Sequence, residues 1–460
     1  MDKREFLKAT GSILAGSALS RLTYAEGNGG AVPPDTIDAV AAEPARTNWA
    51  GNYTYRAAHL DRPADAQELL QLVKTLPHAK ALGARHSFNN IADSPGDQIS
   101  LKSFDQMKVD KNARTVNVGA GVTYGKLAPW LDAQGFAVHN LASLPHVSVV
   151  GACATGTHGS GIHNGNLSTA VVGYEIVNGN GDLVTISRGN QNFNGAVIGL
   201  GALGVITSTT LAVVPTFQIA QVVYENLSFN ELEHNLDTIF SSGYSVSVFT
   251  DWQHHRATQV WLKQLVSDNT APKLPPLFYG ATLQKTNLHP LAGHSAENCT
   301  DQMGVPGPWY ERLPHFKMNF TPSSGAELQT EYFVPRAQAY QAILAVEQLR
   351  DRITPHLFIT EFRTIAADEL WMSMAYQRDS LAIHFTWKPE WDAVKQILPL
   401  IEAKLEPFNA RPHWAKLFTI PQKRLQQLYP KFAEFQSLAK QYDPNGKFRN
   451  DYLNKNLYSA

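Results

Sequence analysis

Cysteine is nearly absent: Cys153 and Cys299 are the only two in 460 residues. That excludes a disulfide framework and a thiolate metal site. Charge is scarce and balanced, with 39 Lys and Arg against 40 Asp and Glu for a net charge of −1. Without a long basic run, the chain lacks the electrostatic footprint of a nucleic-acid binder. Histidines number 16, but pairs such as His254-His255 lack ligand spacing to other donors, so no metal is expected. The apolar run at residues 9–19 is too short to span a bilayer as a stable helix. No internal repeat or low-complexity block occurs. Apolar residues make up 43% and charged residues 17%, which suits a soluble protein with a substantial core. The length leaves room for roughly two to three domains.

The first residues read as a targeting segment. Lys3-Arg4-Glu5-Phe6-Leu7-Lys8 precedes the short apolar run, and Thr23-Tyr24-Ala25 supplies small residues for a peptidase. The pattern resembles a twin-arginine export signal, except that Lys3 stands in place of the first arginine. Residues 1–25 are therefore expected to export the protein to the periplasm; a disordered leader on a cytoplasmic protein is the alternative. Residues 26–45, rich in Gly, Pro, Ala and Asp, read as a linker.

Two glycine-rich stretches carry one histidine each: Leu82-Gly83-Ala84-Arg85-His86-Ser87-Phe88-Asn89 and Ala154-Thr155-Gly156-Thr157-His158-Gly159-Ser160-Gly161. Neither has the residues of a metal site or a Walker loop. Small residues let the backbone approach a ligand, and successive N–H groups with Ser and Thr hydroxyls can cradle a diphosphate. Ordinary glycine turns with incidental hydroxyls are the alternative. Gly199-Leu200-Gly201-Ala202-Leu203-Gly204 matches G-x-G-x-x-G, but the β-branched run from Val205 ends at Pro215 and reads as a strand. The fingerprint needs a helix there, so a Rossmann turn is rejected. Helices are expected at 64–74 and 123–134, and a strand at 115–118. The texture changes after Pro215, where a domain boundary is placed.

Leu82 to Asn89, Ala142-Ser143-Leu144-Pro145-His146, Ala154 to Gly161 and Gly201-Ala202-Leu203-Gly204-Val205 together resemble the flavoprotein family typified by vanillyl-alcohol oxidase. Within it the chain is most similar to the alditol oxidases, through Asn298-Cys299-Thr300, Gly304-Val305-Pro306-Gly307-Pro308-Trp309 and Thr321-Pro322-Ser323-Ser324-Gly325-Ala326-Glu327-Leu328. The resemblance implies an α+β fold of two domains: an FAD-binding domain at 46–215, a substrate cap at 216–415, and a segment at 416–460 returning to the first. It implies FAD attached covalently through its 8α-methyl carbon to His86. Ala81, Leu82, Gly83, Ala84, Arg85, Ser87, Thr155, Gly156, Thr157 and His158 would wrap the cofactor, with Ser148, Gly151 and Ile206 as further contacts. Ser143 would lie beside the flavin and touch substrate. Leu144 stands where some relatives carry a second, cysteinyl link, so a single link is implied. Arg85 replaces the glycine associated with this position.

On the substrate side, 356–364 reads as a strand with Glu361 and Arg363 on one face. Residues 381–387 read as another, with His384 and Thr386 opposite Leu381, Ile383 and Phe385. Lys416 could add a second cation. Spacing alone leaves open a simple Glu361–Arg363 ion pair and a satisfied core histidine at His384. The resemblance makes Glu361, Arg363, Thr386 and Lys416 substrate-site residues. Arg363 and Lys416 would stabilise developing negative charge, and neutral His384 would be the base. The expected activity is oxidation of an alditol such as xylitol or sorbitol at a terminal hydroxyl, with oxygen reduced to hydrogen peroxide, by a monomer. An aldonolactone oxidase or dehydrogenase is the enzyme alternative. A periplasmic sugar-binding protein, which would be colourless, is the non-enzymatic one.

Overall fold

The computed structural model describes residues 46–266, 274–320 and 326–458. The expected export signal at 1–25, the linker at 26–45 and residues 321–325 lie outside the described residues. Among the described residues, no helix is long and apolar enough to cross a membrane.

Helix α1 (Ala66–Thr75) begins where Asp65 Oδ1 accepts the Glu68 amide at 2.9 Å and Glu68 Oε2 accepts the Ala64 amide at 2.7 Å. These bonds satisfy amides that a helix start leaves without partners. Its Leu69 and Val73, one turn apart, are buried with Ile99 and Phe104. Beside it lie three parallel strands, β1 (Leu60–Asp61), β2 (Ala79–Leu82) and β3 (Asp97–Ser100), in the order β1-β3-β2. The first glycine loop leaves the end of β2.

A five-stranded antiparallel sheet follows: β4 (Met107–Asp110), β5 (Thr115–Gly119), β6 (Val171–Val177), β7 (Leu183–Ser187) and β8 (Val205–Ala212), ordered β4-β5-β8-β6-β7. Helices α2 (Tyr124–Asp132) and α3 (Val149–Ala154) lie between β5 and β6 in sequence. The Gly199–Gly204 string leads into β8 and not into a helix, as its context required. Gly204 has φ +148°, and a Cβ there would overlap the Val177 carbonyl oxygen, so the turn admits only glycine.

The rest of the chain builds a larger antiparallel sheet. Its long strands are β9 (Gln218–Ser228), β10 (Ser245–Thr250), β11 (Arg256–Leu265), β12 (Leu328–Pro335), β13 (Leu357–Ile365) and β14 (Ser380–Trp387), in the order β9-β11-β10-β13-β14-β12. Helix α4 (Phe229–Ser241) lies on β9 and β10, while α5 (Ala339–Glu347) lies on β12 and β14 and packs against α6 (Trp391–Leu405). Tyr332, Phe362, Ile383 and Phe385 alternate onto the buried back face. Each such side chain contributes about 1.5–3 kcal/mol by leaving water. The front face carries the charged residues of the same strands.

After the short strand Arg411–Pro412 the chain returns to the first sheets. The Phe88 amide donates to the Ala415 carbonyl at 2.8 Å, and Asn89 Nδ2 donates to the Trp414 and Lys416 carbonyls at 2.9 and 2.7 Å. Further on, buried Asn450 donates through Nδ2 to the carbonyls of Asn90, Ile91 and Asp93, and its Oδ1 accepts the Leu453 amide. Asn450→Ala strands these groups without water. It should lower stability by about 1–3 kcal/mol in urea unfolding; an unchanged midpoint would contradict a tie of this strength.

Candidate active site

A cavity of about 680 Å³ lies between the two glycine loops, the Gly199–Gly204 turn and the front face of the large sheet. That volume falls in the range of sites for small molecules and cofactors, about 300–1,000 Å³. Ala81–Ser87, Ser143, Ser148, Gly151, Thr155, Thr157, His158 and Ile206 line it. Gly156 does not: it takes φ +71°, and a Cβ there would press on Met374 and Ile198. Gly83 and Gly151 flank Ser148, whose Oγ would lie 2.8 and 2.6 Å from a Cβ at either position. Bare backbone on this wall suits a flat, extended ligand. The second loop is fixed to the sheet, because the Gly161 amide donates to the Thr364 carbonyl at 2.9 Å.

His86 lines the cavity, stacked on Trp49 with ring centroids 4.3 Å apart. His146 leans against it at 4.7 Å. Nε2 of His86 is shielded from solvent and, among the described residues, has no hydrogen-bond partner. Burial, with Lys416 and His146 adding, holds this imidazole well below its ordinary 6.5, so it is neutral. Arg85 adopts φ +63°, the left-handed conformation natural to glycine, which costs a side-chain-bearing residue roughly 1–2 kcal/mol. Its carbonyl accepts the Trp49 amide at 2.8 Å, and its Nη1 donates to the Thr47 carbonyl at 3.2 Å.

Across the cavity, antiparallel pairing puts Glu331 on β12, His384 on β14 and Glu361 on β13 in one cross-strand row. Directly opposed residues point to the same face, and Arg363, Thr386 and Gln329 join them there. Glu361 Oε2 lies 3.1 Å from Arg363 Nη2, and its Oε1 accepts from His315 Nε2 at 2.8 Å. Burial pushes the Glu361 carboxyl up, but Arg363 and His315 outweigh it and hold it well below the usual range. Burial lowers His315 to about 4 despite Glu361. Arg363 Nη1 also donates to Ser143 Oγ at 3.2 Å. Lys416 stands 4.7 Å over the Phe88 ring and donates to Gln329 Oε1. Burial pushes its ammonium down to about 8, against the pull of Glu331 and Glu327. His384 Nε2 lies 3.3 Å from Thr386 Oγ1, and burial holds its imidazole below the ordinary 6.5 despite Glu331. Two cations, two carboxylates, a hydroxyl and a neutral imidazole thus face one side of the cavity.

The sequence is related to those of known proteins. The FAD binding domain family matches residues 57–187, and the D-arabinono-1,4-lactone oxidase family matches residues 321–456. An alditol oxidase from a Streptomyces species is 47% identical over 412 residues, covering 88% of this chain and 97% of that protein. The chain belongs to the alditol oxidase family. L-gulono-1,4-lactone dehydrogenase from Mycobacterium tuberculosis is more distant, 26% identical over 437 residues, with 90% of this chain and 99% of that protein covered. Cholesterol oxidase from Brevibacterium sterolicum is only 14% identical, yet superposes with a TM-score of 0.73 over 93% of this chain and all of that one. The shared fold is the two-domain α+β, FAD-binding architecture expected above.

Several residues of the candidate site were not singled out from the sequence. Glu331 and Gln329 sit at alternate positions of β12, a polar pattern that could have singled them out. His315 lies in an irregular segment and meets Glu361 only through the fold. Lys80 also lines the cavity, its Nζ donating to the Gly201 and Phe448 carbonyls at 2.8 and 3.1 Å. Removing Glu361 leaves Arg363 buried without its counter-ion. Glu361→Leu should therefore cost about 3–5 kcal/mol in urea unfolding, and Glu361→Gln, which still accepts from His315, less. Equal, small losses in both variants would show that the pair is not electrostatically coupled.

Proposed function

We propose that this protein oxidises the terminal hydroxyl of an alditol such as xylitol or sorbitol to the aldose. The observation that carries this is the polar front face, where Arg363, Lys416, Glu361, His384 and Thr386 converge opposite the glycine-loop wall. A neutral polyol suits such a wall, because each hydroxyl taken from water needs a partner. Glu361 accepts hydrogen bonds from substrate hydroxyls and orients Arg363. His384 Nε2 takes the hydroxyl proton, and Arg363 and Lys416 stabilise the negative charge developing on that oxygen. Lys416 is an ammonium at neutral pH and loses its charge as the pH rises through about 8. Bound FAD would supply the hydride acceptor for the carbinol carbon and the route by which electrons reach oxygen, giving hydrogen peroxide.

The residues present fit that cofactor. Bare glycine backbone and hydroxyls line one wall, and His86 offers an unpartnered, neutral nitrogen for attachment to the 8α carbon. Among the described residues no cysteine lines the cavity, and Leu144 does, which supports a single link. Cys153, buried beside Tyr124 with its thiol pushed up to about 12, is not a reactive thiolate. All of these groups come from one chain, so a monomer suffices. Export through residues 1–25 is part of the proposal, supported by the Lys3-Arg4 and Phe6-Leu7-Lys8 pattern.

The match to D-arabinono-1,4-lactone oxidase over residues 321–456 favours a second activity, oxidation of an aldonolactone. Oxygen uptake with xylitol against L-gulono-1,4-lactone separates the two: turnover of the polyol should exceed that of the lactone, and the reverse would overturn the alditol assignment. After acid precipitation, wild-type protein should keep its flavin, whereas His86→Ala should release or lack it. Flavin freely extracted from wild type would refute the covalent link.

A further inference from the structure

Beside His384 in the same cross-strand row lies a buried cluster that the scheme above leaves unused. Oε1 of Glu331 is 3.0 Å from His158 Nε2 and 3.4 Å from His384 Nδ1, so two imidazoles converge on one carboxylate oxygen. The other ring nitrogen of His158, Nδ1, is 2.8 Å from the Gly159 carbonyl oxygen, which can only accept, so Nδ1 carries a hydrogen. A neutral His158 would then turn a bare lone pair onto a carboxylate oxygen. The contact closes only if one more proton sits between His158 and Glu331. Burial pushes the Glu331 carboxyl up, but His158 and His384 outweigh it and hold it well below the usual range. His413 does not complete a metal site with this pair, although the three groups' ligand atoms lie within 4.8 Å of one another. Its Nδ1 accepts the Ala415 amide at 3.1 Å, so its Nε2 bears a hydrogen in place of a lone pair.

We propose that His158 is an imidazolium paired with Glu331, and that this buried pair keeps His384 a free base. The Glu331 charge, 3.4 Å from His384 Nδ1, favours the His384 hydrogen on that nitrogen, which among the described residues has no hydrogen-bond partner, and leaves Nε2 toward Thr386 and the cavity. His158 cancels the carboxylate charge that would otherwise retain a second proton on His384. The other charged groups around His384 are Glu361 and Arg363 from β13 and Lys416 from the returning segment; His413 and His315 face the cluster as neutral rings. With His158 charged, three cations meet two carboxylates; without it the charges balance. An opposite charge within about 4–6 Å typically moves a pKa by 1–3 units, enough to decide whether His384 is free at neutral pH. His158 and Glu331 are thus positioning residues, and their effect on catalysis rests on His384 being the base of the alditol oxidation.

Two measurements on the intact holoenzyme test this. Nitrogen NMR of histidine-labelled protein at pH 8, well above the usual histidine pKa of about 6.5, should show both nitrogens of one ring protonated. That signal should vanish in His158→Gln and in Glu331→Gln. A neutral His158 in wild type, its signals assigned by their loss in His158→Gln, overturns the ion pair, whatever the substrate. The second measurement is the pH dependence of anaerobic flavin reduction by xylitol. His158→Gln should move the acid limb upward by about 1–3 pH units. Glu331→Gln removes the carboxylate and releases the His158 proton, so it should slow reduction without that upward shift. A merely structural role would slow both variants with unmoved limbs, and that result overturns the role given to His158. If xylitol fails to reduce wild-type flavin, the alditol assignment falls, and with it the role given to the pair, while the NMR result still decides whether the pair exists.

Discussion

Everything at the site depends on burying charge on one face of a sheet whose other face is apolar. The attraction between Glu361 and Arg363 at 3.1 Å is about 5 kcal/mol at an effective dielectric constant near 20. Removing the two ions from water costs several kcal/mol each. The pair therefore adds little or nothing to stability, and an apolar pair of similar volume would hold the sheet as well. What the charges supply is a field fixed before substrate arrives, in a place where water cannot reorganise to screen it.

That arrangement needs a rigid support, and the back of the sheet provides it. Trp252 and Trp387 are fully buried there, and their indole N–H groups donate to Thr360 and Thr330 at 2.8 and 3.0 Å. Because side chains alternate, each apolar residue locked behind the sheet fixes the aim of a polar neighbour in front. The returning segment acts likewise: Asn89 holds the Lys416 backbone from the first glycine loop, while the His413 and Leu417 amides donate to the Glu331 and Gln329 carbonyls of β12, so the lysine is fixed from both sides.

Much of this was legible in the sequence, for physical reasons. The strand carrying His384 and Thr386 announces itself by strict alternation and the one carrying Glu361 and Arg363 by its β-branched and aromatic residues, and the structure sets their bounds at Ser380–Trp387 and Leu357–Ile365, within a residue of expectation. Rejecting the Gly199–Gly204 string as a Rossmann turn was sound because β-branched residues follow it, yet Gly201 and Gly204 still line the cavity. Local pattern distinguishes a helix from a strand; it does not say what a turn faces. His158 shows the same limit. Its loop reads as cofactor cradle, but both ring nitrogens are engaged within the protein, one by Glu331, 173 residues away. Glu331 and His315 acquire their partners only through long-range strand register and an irregular crossing, neither of which leaves a spacing to read.

The central claim is that Arg363 and Lys416 act on charge that forms during the reaction and not on the resting substrate. Its most direct measurement is anaerobic flavin reduction by xylitol in a stopped-flow instrument, comparing wild type with Arg363→Met and Lys416→Met. Each variant keeps much of the side-chain stem, so packing changes little. Loss of one well-placed donor in a buried site typically lowers the rate by about 10²–10³, and such a fall in the limiting reduction rate, larger than the change in apparent affinity, is the expected result. Reduction at near-wild-type rates in both variants, with intact flavin spectra, would contradict the claim.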